Sequence, residues 1–201
     1  MTIEPHGGTL INRTVTGAAR TELLAQQKQA FALTISDRIL SDLYLIAVGG
    51  LSPLSGFMGK KDYTSVVETM HLSNGLVFSI PVVLAVPQSD FQSIKEGSSI
   101  LLKNQRGEVE AVLNVQEKFE RDVKNEAVKV YRTDDGKHPG VAKVFEQGAY
   151  CIAGPISYVN EHPALEFPES TLTPAQMRQT FDERGWRTVV AFQTRNPIHR
   201  A

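Results

Sequence analysis

A change of texture at Gly75 constrains the fold more than any other feature of this chain. Before it, apolar residues recur at helical spacing; after it, they gather into short β-rich runs broken by turns. Leu23, Leu24, Gln27, Ala30 and Phe31 fit an amphipathic helix over residues 21–33. Ser36 opens a second helix whose apolar positions Ile39, Leu40, Leu43, Ile46 and Ala47 share a face, and Gly49-Gly50 ends it. Tyr63, Val66, Val67 and Met70 give a third, shorter helix, and Phe57 and Met58 either plug the preceding turn into the core or form a wall of a subunit or active-site contact. Beyond Gly75, residues 76–86 read as β-rich with an edge or bulge at Pro81, because proline cannot donate to a ladder. Residues 98–103 and 108–115 flank Asn104-Gln105-Arg106-Gly107 and predict a hairpin. Residues 127–132, 150–152 and 156–159 add short strands, and a short helix over 141–147 stops at Gly148. Helices first and then many short strands predict an α+β domain built on a small barrel.

A second boundary falls at His162-Pro163-Ala164-Leu165-Glu166-Phe167-Pro168-Glu169-Ser170, whose two prolines in a short polar stretch mark an inter-domain linker. Thr173-Pro174-Ala175-Gln176 then combines a capping threonine, a proline at the first helical position and a glutamine placed to cap back. The helix runs on to Glu183 and Gly185 stops it. Next comes Val189-Val190-Ala191-Phe192, a short apolar run with a β-branched pair that predicts a strand. Asn196-Pro197 is a helix entrance, so Gln193, Thr194 and Arg195 are expected at the carboxyl end of that strand and His199 in the first helical turn. A crevice of that kind, beside a helix amino terminus, favours anions.

Composition narrows the function. A formal net charge of −1, with 41% hydrophobic and 21% charged residues, provides no general attraction to nucleic acid or an anionic membrane. Any anion site must therefore be local. Cys151 is the single cysteine, which excludes an internal disulfide and a thiol zinc cluster and suits a reducing compartment. The first residues carry no signal segment and no apolar span, so a cytoplasmic chain is expected. The histidines show no ligand spacing, and no protein-held metal is expected. Pro5-His6-Gly7-Gly8 reads as a turn; the serine-hydrolase alternative fails because Gly50-Leu51-Ser52-Pro53-Leu54 lacks the final glycine of a nucleophile elbow. His138-Pro139-Gly140 places a histidine on a loop, either as a structural residue or as a phosphate or inter-domain contact.

At Gln193-Thr194-Arg195-Asn196-Pro197-Ile198-His199-Arg200 the sequence resembles the sulfate adenylyltransferase (ATP sulfurylase) family. Pro5-His6-Gly7-Gly8, Ser52-Pro53-Leu54 with Gly56-Phe57, and His138-Pro139-Gly140 occur in the order that family presents them, so the resemblance spans the whole chain. It implies an α+β PUA-like β-barrel domain over residues 1–167, followed by the start of an α/β, Rossmann-like nucleotidyltransferase domain over 168–201. It also implies transfer of the adenylyl group of ATP to sulfate. By resemblance, Gln193 and Arg195 hold sulfate, Thr194, Arg195 and Asn196 form the catalytic loop, and His199, catalytic as well, joins these four in contacting ATP. Magnesium is expected to arrive on ATP, with no organic cofactor and no protein metal cage. ATP and sulfate are the expected partners, without nucleic acid or membrane, and the full-length protein is expected to be a homo-oligomer.

The family's second histidine falls at the position after Ala201, and its later Gly-Arg-Asp segment has no counterpart here. The chain is therefore expected to be a truncation with negligible sulfurylase activity by itself. Two further readings stand beside it: an adenylyltransferase for another acceptor, and a PUA-like module that binds RNA. The second lacks a basic stripe with interleaved aromatic residues.

Overall fold

The computed structural model describes residues 3–163, 167–192 and 194. Their organising element is one long strand near the end of the barrel. In chain order the elements are α1 (Gly17–Gln26), β1 (Phe31–Thr34), α2 (Asp37–Val48), β2 (Gly56–Phe57), α3 (Lys60–Thr69), β3 (Leu84–Ala85) and α4 (Gln88–Ser93). There follow β4 (Ser99–Lys103), β5 (Val109–Asn114), β6 (Glu117–Glu120), α5 (Val123–Tyr131), α6 (Pro139–Gln147), β7 (Tyr150–Tyr158) and α7 (Pro174–Glu183). The strands form a seven-stranded mixed sheet of order β1-β4-β5-β7-β2, with β3 and β6 also paired to β7. The first half of β7 lies between β3 and β6, and its second half between β2 and β5. One strand with four neighbours must bend, and the sheet curls around the core. The architecture is α+β.

Alternation along β4 buries Ile100 and Leu102, while β5 and β7, covered on both faces, bury nearly continuous runs. Helix α2 closes one side. The Ser36 hydroxyl accepts from the Ile39 N–H to cap its start, and Gly49 in the left-handed region ends it. Ile39, Leu43, Ile46 and Ala47 form its buried face. Each large aliphatic side chain so placed contributes about 2 kcal/mol by leaving water. Phe57 and Met58 are buried and plug the turn before them into the core.

Five expectations are corrected. Residues 31–34 are not the end of a helix: α1 stops at Gln26, and Phe31–Thr34 pairs in parallel with β4, burying Leu33. Residues 127–132 are not a strand but the last turns of α5, which Asp122 starts by accepting from the N–H groups of Lys124 and Asn125. Glu126 and Ala127 are its buried residues. The runs at 150–152 and 156–159 belong to a single strand, β7, which passes through Gly154 and Pro155. Within residues 76–86 only Leu84–Ala85 is a strand, apart from an isolated bridge between His71 and Val77. Residues 189–192 form no strand; Val190 is 95% and Phe192 83% exposed, and no described strand lies beside them. No described helix is long and apolar enough to cross a membrane.

Candidate functional site

The approach to the expected anion loop is built locally. Thr173 Oγ1 accepts from the Gln176 N–H, and the Gln176 side chain accepts from the Thr173 N–H at 2.8 Å, a reciprocal cap at the start of α7. Gly185, at φ 64°, turns the chain away from the helix. Trp186 then stacks on Phe181 with ring centroids 6.1 Å apart, and the Arg184 guanidinium sits over the Trp186 ring at 4.9 Å. Arg178 donates to the Ile3 carbonyl and so ties α7 to the amino-terminal segment. Ile3, Met177, Phe181, Trp186 and Val189 line a shallow cavity of about 320 Å³ on this face. Of the expected site residues only Thr194 is described, and it is exposed. Gln193, Arg195, Asn196 and His199 lie outside the described residues.

The other motifs have structural work to do. His6 Nε2 lies 2.8 Å from the Val77 carbonyl oxygen. Gly7, at φ 79°, packs against Pro53 and Leu76 so closely that a side chain would press on the proline ring. The Ser52 hydroxyl accepts from the Ile11 N–H at 3.0 Å and donates to the Gly49 carbonyl at 2.8 Å. The structure therefore brings Pro5-His6-Gly7-Gly8 and the Ser52–Pro53 turn, a cis peptide, into one cluster that straps the amino terminus to the end of α2. Gly56 is required by β2, because a Cβ there would overlap the Gly154 carbonyl oxygen. His138 is the amino-terminal cap of α6: its Nδ1 accepts from the N–H groups of Gly140 and Val141, and its ring lies 5.3 Å from that of Tyr131. Of the two roles open to this histidine, the structural one is observed. Gly140 leaves space for the Tyr131 ring.

Two buried charge arrangements escape the motif reading. Arg121 pairs with Glu126 at 3.1 Å, and the Tyr63 hydroxyl donates to the same carboxylate at 2.9 Å. Cys151 lies near this pair, and burial pushes its thiol up to about 12; Arg121 opposes the shift and Glu126 reinforces it. Burial, followed by the adjacent carboxylate, likewise raises the Tyr63 hydroxyl. The second arrangement centres on Glu110, which accepts from the side chains of Asn104, Tyr158 and Asn160. A glutamate inside the otherwise apolar run of β5 was the available signal. Among the described residues, no group of three or more His, Cys, Asp or Glu could hold a metal.

A family model described as a PUA-like domain matches residues 3–161. The chain belongs to the PUA-like domain family. A second model, described as ATP-sulfurylase, matches residues 168–201. Curated relatives named sulfate adenylyltransferase include those of Synechococcus sp. (strain JA-3-3Ab) and Acaryochloris marina (strain MBIC 11017), each 49% identical over 99% of this chain and 51% of the relative. This PUA-like chain thus spans about half the length of the curated relatives it matches. Among solved structures, the hexameric APS kinase from Thiobacillus denitrificans superposes with a TM-score of 0.77 at 25% identity, covering 99% of this chain and 35% of that one.

Proposed function

We propose that this chain supplies the PUA-like barrel, residues 1–167, and the opening of the catalytic domain, residues 168–201, of a cytoplasmic sulfate adenylyltransferase. The observation that carries this reading is the ATP-sulfurylase match over residues 168–201, directly after the barrel, in relatives that bear that name. A sulfate oxygen attacks the α-phosphorus of ATP, the bond to the β-phosphate breaks, and pyrophosphate leaves with its electron pair; the product is adenosine 5′-phosphosulfate. Sulfate is already an anion and needs no general base. What the reaction needs is charge neutralisation and in-line alignment.

Each residue of the loop has a part in that. Gln193 and Arg195 hold sulfate, the guanidinium matching two oxygens at once. Thr194, Arg195 and Asn196 form the loop around the reacting centre, and His199 contacts the triphosphate as charge moves onto pyrophosphate. Gln193 also lies against ATP. Magnesium enters on ATP as part of the substrate, without an organic cofactor. The working protein is a homo-oligomer that uses neither nucleic acid nor a membrane; the hexameric neighbour agrees with assembly. The names of the relatives favour sulfate over another acceptor and over an RNA-binding role.

The test is sulfate-dependent pyrophosphate release. The 201-residue chain alone is expected to show none above background. In a chain extended to the length of the relatives, Arg195→Ala is expected to lower kcat/KM for sulfate by about 10²–10³-fold, the range for losing one preorganised charge-stabilising donor. Full turnover by Arg195→Ala would remove the assignment.

A further inference from the structure

A groove of about 460 Å³ lies between α2 and the turn joining β4 to β5, lined among others by Asp37, Tyr44, Gln105, Glu110 and Tyr158. It has the size of a small-ligand pocket, and no step of the proposed adenylyl transfer uses it. Its floor holds an electrostatic anomaly. Glu110 is 2% exposed, yet among the described residues no lysine or arginine forms an ion pair with it.

Its side-chain partners are all neutral: the Asn104 amide at 2.7 Å, the Asn160 amide at 2.9 Å and the Tyr158 hydroxyl at 3.1 Å. A carboxylate offers about four acceptor positions, so three donors leave room for one more. Oε1 carries a single donor, whereas Oε2 carries two. A buried charge with no counter-charge is costly to keep. Arg106 also lines the groove, but its guanidinium is paired with Glu108 at 2.9 Å and not with Glu110. Asp37 adds a second carboxylate to the wall. Tyr44 stands edge to face against Tyr158, with ring centroids 6.1 Å apart, and brings an aromatic surface beside the carboxylates.

We propose that this groove binds a guanidinium group, its plane against Tyr44 and its N–H groups on Glu110 and Asp37. Three cation chemistries compete for such a site, and the lining separates them. A hydrated divalent metal needs about six oxygen ligands, and the described residues offer no metal-holding group. An ammonium is compact and strongly hydrated, and gains least from a flat aromatic wall. A guanidinium is planar and weakly hydrated, stacks on aromatic faces and donates in its own plane to carboxylate oxygens. It alone uses both features of the groove.

The experiment is a titration of the ¹⁵N-labelled 201-residue chain with methylguanidinium at constant ionic strength, read by amide chemical shifts. Saturable shifts are expected at Ser41, Asn104 and Gln105, with a midpoint on the order of millimolar for so small a ligand. Methylammonium and magnesium are expected to give none there. Glu110→Gln removes the charge at constant shape and is expected to weaken binding at least about tenfold. Should that variant fail to fold, Tyr44→Leu keeps an apolar contact with the barrel and is expected to weaken binding similarly. A peptide Gly-Arg-Gly identifies the source: tighter binding than methylguanidinium assigns the groove to an arginine side chain of a polypeptide, and equal binding to a free guanidinium compound, both in support of the proposal. Absence of saturable shifts, an equal response to methylammonium, or unchanged affinity in the folded variants would overturn it.

Discussion

The barrel and the segment after it solve the same problem in opposite ways. Every buried apolar side chain among the described residues lies between Leu33 and Val159. None lies in α7, although that helix carries a reciprocal cap at its start. Residues 172–192 expose Leu172, Met177, Trp186, Val189, Val190 and Phe192, an apolar set that a stable fold would cover. Local signals suffice to write a helix, but they do not write a core. Burial requires partners from distant parts of the chain, and in the barrel β7 supplies them by pairing with β2, β3, β5 and β6.

The sharpest way to break this contrast is to stop β7 from closing the barrel. Gly56→Ala places a methyl group into the Gly154 carbonyl oxygen across the β2–β7 pair, where backbone meets backbone and nothing flexible can yield. The expected result is a loss of about 4 kcal/mol or more, in the exceptional range for a single methyl group. Urea unfolding followed by circular dichroism measures it. A loss below about 1 kcal/mol would mean that β2 does not hold the curl of the sheet.

Next in size is the buried ion pair. Arg121 binds the Glu126 carboxylate and also donates to the carbonyls of Gly148 and Val144, so it joins α5 and α6 to the barrel. Glu126→Ala leaves a guanidinium buried without its counter-charge, and the expected destabilisation is about 3–5 kcal/mol. Arg121→Met combined with Glu126→Leu removes both charges and is expected to be less damaging than Glu126→Ala alone. If the double variant were the worse of the two, Arg121 would matter mainly through its bonds to the carbonyls.

Alkaline pH probes the same interior. The Cys151 thiol, raised by burial to about 12, holds its proton more tightly folded than unfolded, where it titrates near 9. The folded state therefore binds more protons in this window, and its stability is intact below about pH 9 and falls as pH rises toward 12. The slope for one such group is about 1.4 kcal/mol per pH unit. Tyr63 and Tyr158, also raised by burial and by their carboxylate partners, act in the same direction at higher pH. Cys151→Val is expected to make the first part of the decline shallower in urea titrations between pH 8 and 11. An unchanged slope would place the loss on other groups.

These sites also mark where sequence reading ends. Elements with their own punctuation were legible: α2 between Ser36 and Gly49, the β4–β5 hairpin around Asn104 and Gly107, and α7 behind Thr173. Elements decided by a remote partner were not. Phe31–Thr34 continues a helical pattern in sequence, but β4 pulls it into the sheet; β6 has no periodicity of its own and exists because β7 pairs with it. The α5 helix was misread because its β-branched residues suit either structure, and the Asp122 cap decides the matter. For the candidate site, the sequence offers a loop chemistry from Gln193 to His199, of which the described residues include only Thr194, while the three side-chain donors around Glu110 were not legible because they come from Asn104, Tyr158 and Asn160, brought together only by the fold.

The smallest expected effect tests the exposed segment directly. If residues 189–192 stand outside the barrel's cooperative unit, replacing Val190 and Phe192 with serine removes apolar surface that is already in water. The barrel's urea midpoint is then expected to stay within about 0.5 kcal/mol of the parent, as for surface substitutions generally. Self-association, read by sedimentation velocity, is expected to decrease, because large exposed apolar side chains favour association. Arg178→Ala, which breaks the bond to the Ile3 carbonyl, is expected to leave the midpoint equally unmoved, since Ile3 is exposed, Arg178 is half-buried and both lie outside the core. A shift above about 1 kcal/mol in either variant would show that α7 and the residues after it fold together with the barrel, and that the exposed apolar side chains belong to the same cooperative structure as β7.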